Sequence, residues 1–230
     1  MKIFRFLLGI IFSFSLMFIV LVSSIELAAY SDYSFYEKEY KKYAVTEFVG
    51  ISMDDLMDVT TDMMDYLKGG HETLYDIKAT IGGVPDTPFF NEREITHMED
   101  IRGLFITAIF LRRLFFAVCI LCIVSAKFLG GRIRSFLSNS LIFGTLGVFI
   151  ITGAVAAIIA SDFEKYFIIF HHIFFNNDLW MLAPATDNLI NIVPQGFFMD
   201  MALRIFIIFG CFIAGIMGLG VIFRVIRKKK

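Results

Sequence analysis

Three long uncharged stretches of apolar residues constrain the fold of this chain more than any other feature of its sequence. Phe6–Ile25 runs for 20 residues without a charge, Ser135–Ser161 for 27 and Ile205–Phe223 for 19. A helix needs about 20 apolar residues to cross the roughly 30 Å hydrocarbon core of a bilayer. The chain is also 57% hydrophobic, which is high for a soluble domain. Each stretch therefore predicts a transmembrane helix.

A fourth stretch, Leu104–Phe128, is apolar apart from Arg112, Arg113 and Lys127. Two arginines at the centre of a bilayer would cost about 2.5–3.5 kcal/mol each on insertion scales. This cost is avoided if the membrane-spanning part starts nearer Thr107, because the arginines then lie close to the outer interface. We favour that interpretation. In the alternative, both arginines face a polar cavity and have a function.

The distribution of charge predicts the orientation of these helices. The segments predicted to lie inside contain ten basic and no acidic residues, namely Lys2, Arg5, Lys127, Arg132, Arg134, Arg224, Arg227, Lys228, Lys229 and Lys230. The segments predicted to lie outside contain 16 acidic and 7 basic residues (Tyr30–Gly103) and 5 acidic and 1 basic residue (Ser161–Asp200). Loops rich in Lys and Arg stay in the cytoplasm. Both termini are therefore predicted to be cytoplasmic.

The sequence thus predicts an all-α, multi-pass membrane protein with four transmembrane helices and an extracellular cap. The long first outer loop and the second outer segment are expected to form this cap. The predicted boundaries are 1–29 (transmembrane helix 1), 30–103 (cap), 104–129 (transmembrane helix 2), 130–135 (cytoplasmic turn), 136–160 (transmembrane helix 3), 161–199 (outer interfacial segment), 200–224 (transmembrane helix 4) and 225–230 (basic cytoplasmic tail).

The N-terminal stretch Met1–Ala29 also resembles a secretory signal peptide, because two basic residues precede its apolar run. A signal peptide has an apolar core of about 7–15 residues, and the run observed here is longer. We therefore expect it to remain as the first transmembrane helix. Cleavage near Ser23-Ser24 or Ala28-Ala29 is the alternative.

Local patterns predict some structure in the outer segments. Met53–Lys68 has apolar residues at helical spacing, and Gly69-Gly70 is a plausible stop. Ile81–Pro88 is rich in Gly and Pro, which predicts a turn. Asn91 is expected to cap a helix that runs from Glu92 into the second span.

The second outer segment is aromatic and interrupted, which favours a position along the membrane surface. Phe163, Phe170, Phe174 and Phe175 surround His171 and His172. A short helix is expected before Pro194, capped by Thr186 or Asp187.

Histidines from two distant regions of the sequence are predicted to lie at the same depth near the outer interface. His97 comes just before the second span, and His171 and His172 come just after the third. An unperturbed imidazole titrates near pH 6.5, which suits acid–base catalysis. The alternative is that these histidines only satisfy polar contacts at the interface.

Other sequence motifs limit the kinds of reaction that the chain is predicted to catalyse. Glu94-Ile95-Thr96-His97 fits the Glu-x-x-His spacing of carboxylate metal sites, but a single copy of this pattern occurs by chance. The sequence contains no His-Glu-x-x-His motif, no Gly-x-Ser-x-Gly elbow and no glycine-rich phosphate loop. A metal-dependent membrane hydrolase that uses Glu94, His97 and His171 therefore remains an alternative, as does a non-enzymatic assembly factor.

Two ordered motifs resemble the bacterial lipoprotein intramolecular transacylase family, Lit. The first is Glu92-Arg93-Glu94-Ile95-Thr96-His97-Met98-Glu99-Asp100. The second runs from Phe170-His171-His172-Ile173-Phe174-Phe175-Asn176-Asn177-Asp178-Leu179-Trp180 through Pro184-Ala185-Thr186-Asp187 to Pro194 and Phe197-Phe198. The four-span plan with a long first outer loop is also similar, so the resemblance covers nearly the whole chain.

This resemblance implies an activity and a site. Members of the family move an acyl chain from the sn-2 ester of a lipoprotein's diacylglyceryl-cysteine to the α-amine of that cysteine, which gives a lyso-form lipoprotein. By motif position the catalytic histidines would be His97 and either His171 or His172, and we choose His171 because it directly follows Phe170. The residues expected to bind the substrate are Glu94, Asp100, His172, Phe174, Trp180, Asp187 and Phe198.

The same resemblance sets the expected partners and location. We expect no cofactor, no metal and no nucleic acid. The expected partners are a diacylated lipoprotein and membrane lipid, and the chain is expected to be a monomer. Its place would be the bacterial cell membrane, with the active site at the outer face.

Overall fold

The structure is a computed structural model that describes residues 2–130 and 132–228. Gly131 of the predicted cytoplasmic turn and Lys229 and Lys230 of the predicted basic tail lie outside the described residues. The helices within the described part of the chain are α1 (Lys2–Tyr30), α2 (Ser34–Lys42), α3 (Val45–Val49), α4 (Met53–Lys68), α5 (Glu92–Phe128), α6 (Ile133–Asn139), α7 (Thr145–Ser161), α8 (Phe163–Phe174), α9 (Asn188–Ile192) and α10 (Gln195–Lys228).

Four helical segments are long and apolar enough to cross a membrane. They are Ile3–Tyr30, Glu92–Phe128, Ile133–Ser161 and Gln195–Ile226. This confirms an integral membrane protein with four candidate spans. The third segment consists of α6 and α7, joined by one π-helical turn at Ser140–Gly144.

The helix α5 is much longer than a bilayer requires. Its 37 residues rise about 55 Å at 1.5 Å per residue, against a hydrocarbon core of roughly 30 Å. Its first three turns, Glu92–Gly103, contain six charged residues, whereas the apolar residues follow from Leu104. We therefore take the first three turns to extend beyond the membrane-spanning part of α5.

The chain divides into two compact units. The first comprises residues 1–27, 109–167 and 205–230. Within it, Arg112 on α5 forms an ion pair with Glu26 on α1, and its Nη1 atom lies 3.5 Å from the Ser23 hydroxyl oxygen. Glu26 directly follows the uncharged stretch Phe6–Ile25, so the ion pair lies at the end of the apolar part of α1. This contact supports the interpretation that Arg112 lies near an interface.

Small residues allow two helices of this first unit to approach closely. The hydroxyl of Ser13 on α1 donates to the carbonyl of Ser140, at 3.1 Å, in the π-helical turn. A Cβ atom at Gly144 would lie only 1.9 Å from the Ser13 Oγ atom, so glycine is required there. Contacts of this kind are typical of helices that pack in membranes, where small residues let backbones come together.

The second unit comprises residues 28–108 and 168–204 and has the larger buried core. Its helix α4 has the predicted bounds, Met53–Lys68. The Ser52 hydroxyl caps it by accepting from the Asp55 N–H at 3.1 Å, and Gly69 ends it with φ of 88°. Its buried face includes Leu56 and Met63, which fill the core of this unit.

The chain is mostly helical, as predicted, but the segment after α4 also contains a β-hairpin, and the turn predicted at residues 81–88 is confined to Gly82-Gly83 between its two strands. Strands β1 (Lys78–Ile81) and β2 (Val84–Pro88) pair in antiparallel fashion. Gly82 and Gly83 form the two-residue turn with positive φ, which this type of hairpin requires. A lone hairpin is only marginally stable. Here the Gly82 N–H donates to the Gly50 carbonyl at 2.8 Å, which ties the turn to the core.

Candidate active site

Two histidines from different elements come together in the second unit. His97 lies on the second turn of α5, and His171 lies near the end of α8. Their side chains are 4% and 6% exposed, and their ring centroids are 6.1 Å apart. Their neighbour His172 is exposed.

Aromatic rings enclose this histidine pair. Phe175 packs against both imidazoles, with centroid distances of 5.2 Å to His97 and 5.5 Å to His171. The Trp180 indole stacks on His171 at 4.6 Å with an interplanar angle of 29°. These contacts fix the plane of the His171 ring and keep the pair in an apolar environment.

Two buried polar atoms of this cluster have no hydrogen-bond partner among the described residues. They are the Nδ1 atom of His97 and the Nε1 atom of Trp180. Buried polar groups are rarely left unpaired, and each such group costs about 1–3 kcal/mol. Unpaired groups at one place in a protein mark a location where another molecule can supply the partners.

The environment of His97 favours its neutral form. Burial, together with the nearby His171, lowers the pKa of His97 to about 4, and the Asp100 carboxylate opposes this shift only in part. His97 lies in the polar first turns of α5, outside the apolar part of that helix. At neutral pH its imidazole is therefore uncharged and able to accept a proton.

A hydrogen-bonded carboxylate lies one turn before His97. Asn91 and Glu94 form a reciprocal cap at the start of α5, because the Glu94 N–H donates to the Asn91 side chain (3.0 Å) and the Asn91 N–H donates to the Glu94 carboxylate (2.8 Å). The predicted cap by Asn91 is thus confirmed. The other Glu94 oxygen accepts from the Leu189 N–H at 2.6 Å. Burial raises the pKa of Glu94, while these N–H donors act in the opposite direction.

Asp187 joins the same network from the second outer segment. Its carboxylate accepts from the Ala183 N–H (2.6 Å), the Asn91 side-chain amide (2.7 Å) and the Thr186 hydroxyl (3.1 Å). Burial opposes ionisation, but these donors outweigh it and lower the pKa of Asp187. The short helix expected before Pro194 is confirmed as α9. Asp187 occupies the N-cap position of α9, as one of the two predicted alternatives had it, but its side chain makes no cap hydrogen bond to that helix.

Two further contacts hold the aromatic loop after α8 against α5. The Asn177 amide donates to the Asp100 carboxylate at 2.9 Å, and the Arg93 guanidinium donates to the Asp178 carbonyl. The sequence did not reveal the roles of Asn177 and Arg93, since partners so far apart in the chain leave no local pattern. Asp100 therefore serves both to position the loop and to influence the charge of His97.

The predicted substrate-binding residues fall into separate groups. Trp180 and Asp100 lie beside the histidine pair, whereas Glu94 and Asp187 belong to the network that links α5 to the second outer segment. Phe174 is 51% exposed, and its ring packs against Phe170.

The remaining two residues of that set lie near other aromatic rings. His172 touches only the edge of the Trp180 ring among the described aromatic contacts, at 5.3 Å. Phe198 is partly buried on α10 and contacts the edge of Phe197 at 6.3 Å.

The arrangement does not favour the metal-site interpretation of Glu94-x-x-His97. Both Glu94 oxygens accept from backbone N–H groups, so this carboxylate is already engaged. In the described part of the chain, no three His, Cys, Asp or Glu side chains are grouped so that they could hold a metal ion.

The comparison with protein families decides the class of this protein. The family model of the lipoprotein intramolecular transacylase Lit matches residues 10–198, which include both histidine-bearing segments. The chain belongs to the Lit family. This confirms the resemblance noted in the sequence and identifies the protein as a membrane enzyme of lipoprotein processing, so the assembly-factor alternative is set aside.

Solved structures from the Lit family have the same fold. The membrane-integral lipoprotein intramolecular transacylase Lit from Bacillus cereus is 18% identical, with a TM-score of 0.71 over 100% of this chain and 96% of that one. Its variant with a histidine-to-alanine substitution gives a TM-score of 0.74 at 18% identity, over 99% of this chain and 96% of that one. The histidine-to-arginine variant gives 0.74 at 19% identity, over 99% and 94%. No curated protein matches the chain.

Proposed function

We propose that this Lit-family enzyme transfers the sn-2 acyl chain of a diacylglyceryl-cysteine to the α-amine of the same cysteine, with His97 and His171 as the acid–base pair. The observation that carries this proposal is the pair itself. Two buried imidazoles from distant parts of the sequence lie 6.1 Å apart among aromatic rings, beside buried polar atoms that have no hydrogen-bond partner among the described residues. This separation lets both rings contact a single small group between or beside them.

The reaction requires a site that holds both ends of the substrate. Attack by the amine closes an eight-membered ring through nitrogen, Cα, Cβ, sulfur, two glycerol carbons, the ester oxygen and the carbonyl carbon. A ring of this size closes poorly without help. Orientation by an enzyme can contribute about 7–11 kcal/mol at best. The fixed rings of Phe175 and Trp180 give the pocket walls that could hold the reacting atoms in place.

The protons then move between the substrate and the two imidazoles. A cysteine α-amine has an ordinary pKa of about 7.7–8.0, so part of it is neutral and nucleophilic at neutral pH. As the C–N bond forms, the nitrogen becomes acidic and gives its proton to the neutral His97. His171 starts in its protonated form and gives that proton to the glycerol oxygen as the C–O bond breaks; transfer of the proton from His97 to His171 then restores the pair. No covalent acyl-enzyme is needed.

For protonation of the glycerol oxygen, His171 is a better candidate than His172. His171 is 6% exposed and packs against the ring of Phe175, which also packs against His97. His172 is exposed, and its described aromatic contact is with Trp180. Only the buried ring shares an aromatic neighbour with His97.

The apolar lining also protects the ester of the substrate from hydrolysis. Water in the pocket would hydrolyse the same ester that the amine attacks. Phe175 and Trp180 are each 8% exposed and cover the histidine pair, which limits access of water. We further propose that this unit faces the outside of a bacterial cell membrane, as the basic inner segments indicate. The acyl chains of the substrate would then stay in lipid while its ester and amine reach the site.

The test is acyl transfer by the purified protein in liposomes that contain a diacylated lipopeptide, with the products identified by mass spectrometry. The wild type should give the N-acyl, S-monoacylglyceryl product without added metal. H97A and H171A should each give none, while His71→Ala, a surface histidine bonded to Asp76, should behave as the wild type. Near-normal product from H97A or H171A, in protein of normal helicity, would remove that histidine from the mechanism.

A further inference from the structure

We propose that the indole N–H of Trp180 is the oxyanion donor of this enzyme. It would donate a hydrogen bond to the ester carbonyl oxygen as that oxygen becomes negative during attack by the amine. This assignment rests on the proposed function above and adds a residue that touches the reacting atoms.

The first observation is that this donor is buried and unused. Trp180 is 8% exposed, and its Nε1 atom has no hydrogen-bond partner among the described residues. A buried indole N–H usually finds a partner, because leaving it unpaired costs about 1–3 kcal/mol. A donor kept free at this cost is available to a substrate.

The second observation is that the indole ring is held in place. One face stacks on His171 at 4.6 Å, and the edge of His172 meets the ring at 5.3 Å. The loop that carries Trp180 is tied to α5, because Asn177 bonds to Asp100 at 2.9 Å and Arg93 bonds to the Asp178 carbonyl. A donor with a fixed direction in a pocket without water stabilises a developing charge most effectively, since it does not reorganise during the reaction.

The third argument is chemical. An indole N–H donates a hydrogen bond and accepts none, so it cannot serve as a base. The two imidazoles are already occupied by proton transfer at the nitrogen and at the glycerol oxygen. In this scheme the ester carbonyl oxygen has no hydrogen-bond donor. Among the described residues, Trp180 lies beside His171 and has a buried N–H without an acceptor.

The step balances as follows. The amine nitrogen attacks the carbonyl carbon, and the carbonyl π electrons move to the oxygen, which becomes an oxyanion. The Trp180 N–H shortens its hydrogen bond to that oxygen and keeps its own proton. The electron pair then returns, the bond to the glycerol oxygen breaks, and the leaving oxygen takes a proton from His171.

The experiment uses the fact that the chain contains a single tryptophan. Stop-codon suppression at position 180 can introduce β-(benzothien-3-yl)alanine, which has the shape of tryptophan but carries sulfur in place of the N–H. We expect kcat to fall about 10²-fold, as on removal of one oxyanion donor, while KM changes less than about twofold. Thermal unfolding of this variant should match that of the wild type, because the stacking on His171 is retained.

A fluorinated series provides the matched control. Growth of a tryptophan auxotroph on 5-fluorotryptophan or on more heavily fluorinated analogues replaces this position alone. Fluorination makes the indole N–H a stronger donor, so kcat should rise along the series. W180F should lose more activity than the benzothienyl variant, because it also loses part of the stacking surface.

Two results would overturn this assignment. One is a wild-type kcat for the benzothienyl variant, and the other is a rise in KM alone, which would make the N–H a ground-state contact. Failure of the wider proposal has a separate signature, because H97A and H171A would then still form product. A flat kcat across the fluorinated series, in protein that folds normally, also counts against the donor role.

Discussion

Two neighbouring groups of residues on α5 and the second outer segment are built in opposite ways. The carboxylate network of Asn91, Glu94 and Asp187 engages its buried carboxylate oxygens with donors from the protein. The imidazole cluster of His97, His171, Phe175 and Trp180 lies one turn further along α5 and leaves two buried polar atoms unpaired. The first group is saturated, which suits a structural link. The second keeps polar atoms available, which suits a place where substrate binds.

This difference separates residues that the sequence places together. Glu94 and His97 are three positions apart, and the sequence assigns both to one site. In the structure, Glu94 holds the backbone of the second outer segment, while His97 faces the aromatic pocket. Substitutions should therefore act on stability in the first group and on turnover in the second.

The largest effect is expected from His97→Gln, which keeps a polar side chain of similar size but cannot take up a proton. Turnover should fall by about 10²–10⁴, the range that one acid–base group contributes. The melting temperature in detergent should stay within a few degrees of the wild-type value, since no partner of the buried Nδ1 atom is lost. A large drop in melting temperature would instead move His97 into the structural group.

The next largest effect is expected from Glu94→Ala, and it should act on stability. The change leaves the buried N–H groups of Asn91 and Leu189 without an acceptor, at a cost of about 1–3 kcal/mol each. Glu94→Gln should lose less, because its amide oxygen can still accept from one of them. Thermal unfolding followed by circular dichroism measures both variants.

Activity provides the control for Glu94. At a temperature where the variants remain folded, product formation per folded molecule should stay within about threefold of the wild type. A loss as large as that of His97→Gln, in protein of wild-type stability, would place Glu94 among the reacting groups.

A smaller effect is expected from pH, through the charge of His97. Its pKa is about 4 in the folded protein, below the ordinary value of about 6.5, so the folded state disfavours the proton. The stability linked to His97 should therefore be present above pH 6.5 and should be lost as the pH falls toward 4. The slope of unfolding stability over this window should be shallower in His97→Gln.

The protonation state can also be observed directly. Ring resonances of ¹³C-labelled histidine in micelles should show one imidazole that stays neutral at pH 6, and that signal should be missing in His97→Gln. A His97 signal that titrates near 6.5 would contradict the apolar pocket described for it.

Much of the fold was accessible from the sequence because membranes impose a simple rule. Long uncharged runs have to form helices, since no water is present to satisfy the backbone. The helix Met53–Lys68 was equally accessible, because its apolar face, its cap and its terminal glycine agree. The β-hairpin is not evident from the sequence, because Gly82-Gly83 together with Pro85 and Pro88 indicates a turn and no strands. Gly82 and Gly50 are more than thirty residues apart in the sequence, so their hydrogen bond leaves no local sequence signal.

The sequence likewise predicts some features of the candidate site and not others. The sequence placed His97 and the 171/172 pair at the same depth, because each stands next to a predicted span, and the structure brings His97 and His171 together. It could not separate His171 from His172, since adjacent residues on a helix differ by only about 100° in direction and their burial depends on packing. Nor could it predict the hydrogen bonds of Asp187, because its partners Ala183 and Asn91 come close to it only in the folded chain.

The smallest effect is expected from His172→Ala, and it tests the choice between the two adjacent histidines most directly. His172 is exposed, and its described aromatic contact is the edge of the Trp180 ring at 5.3 Å. Its removal should therefore change turnover by less than about threefold, whereas His171→Ala should abolish it. If His172→Ala instead lost product while His171→Ala retained it, the exposed ring would have to turn inward when substrate binds. The acid–base pair would then form only in the complex, and the buried His171 would belong with the aromatic residues that hold Trp180 in place.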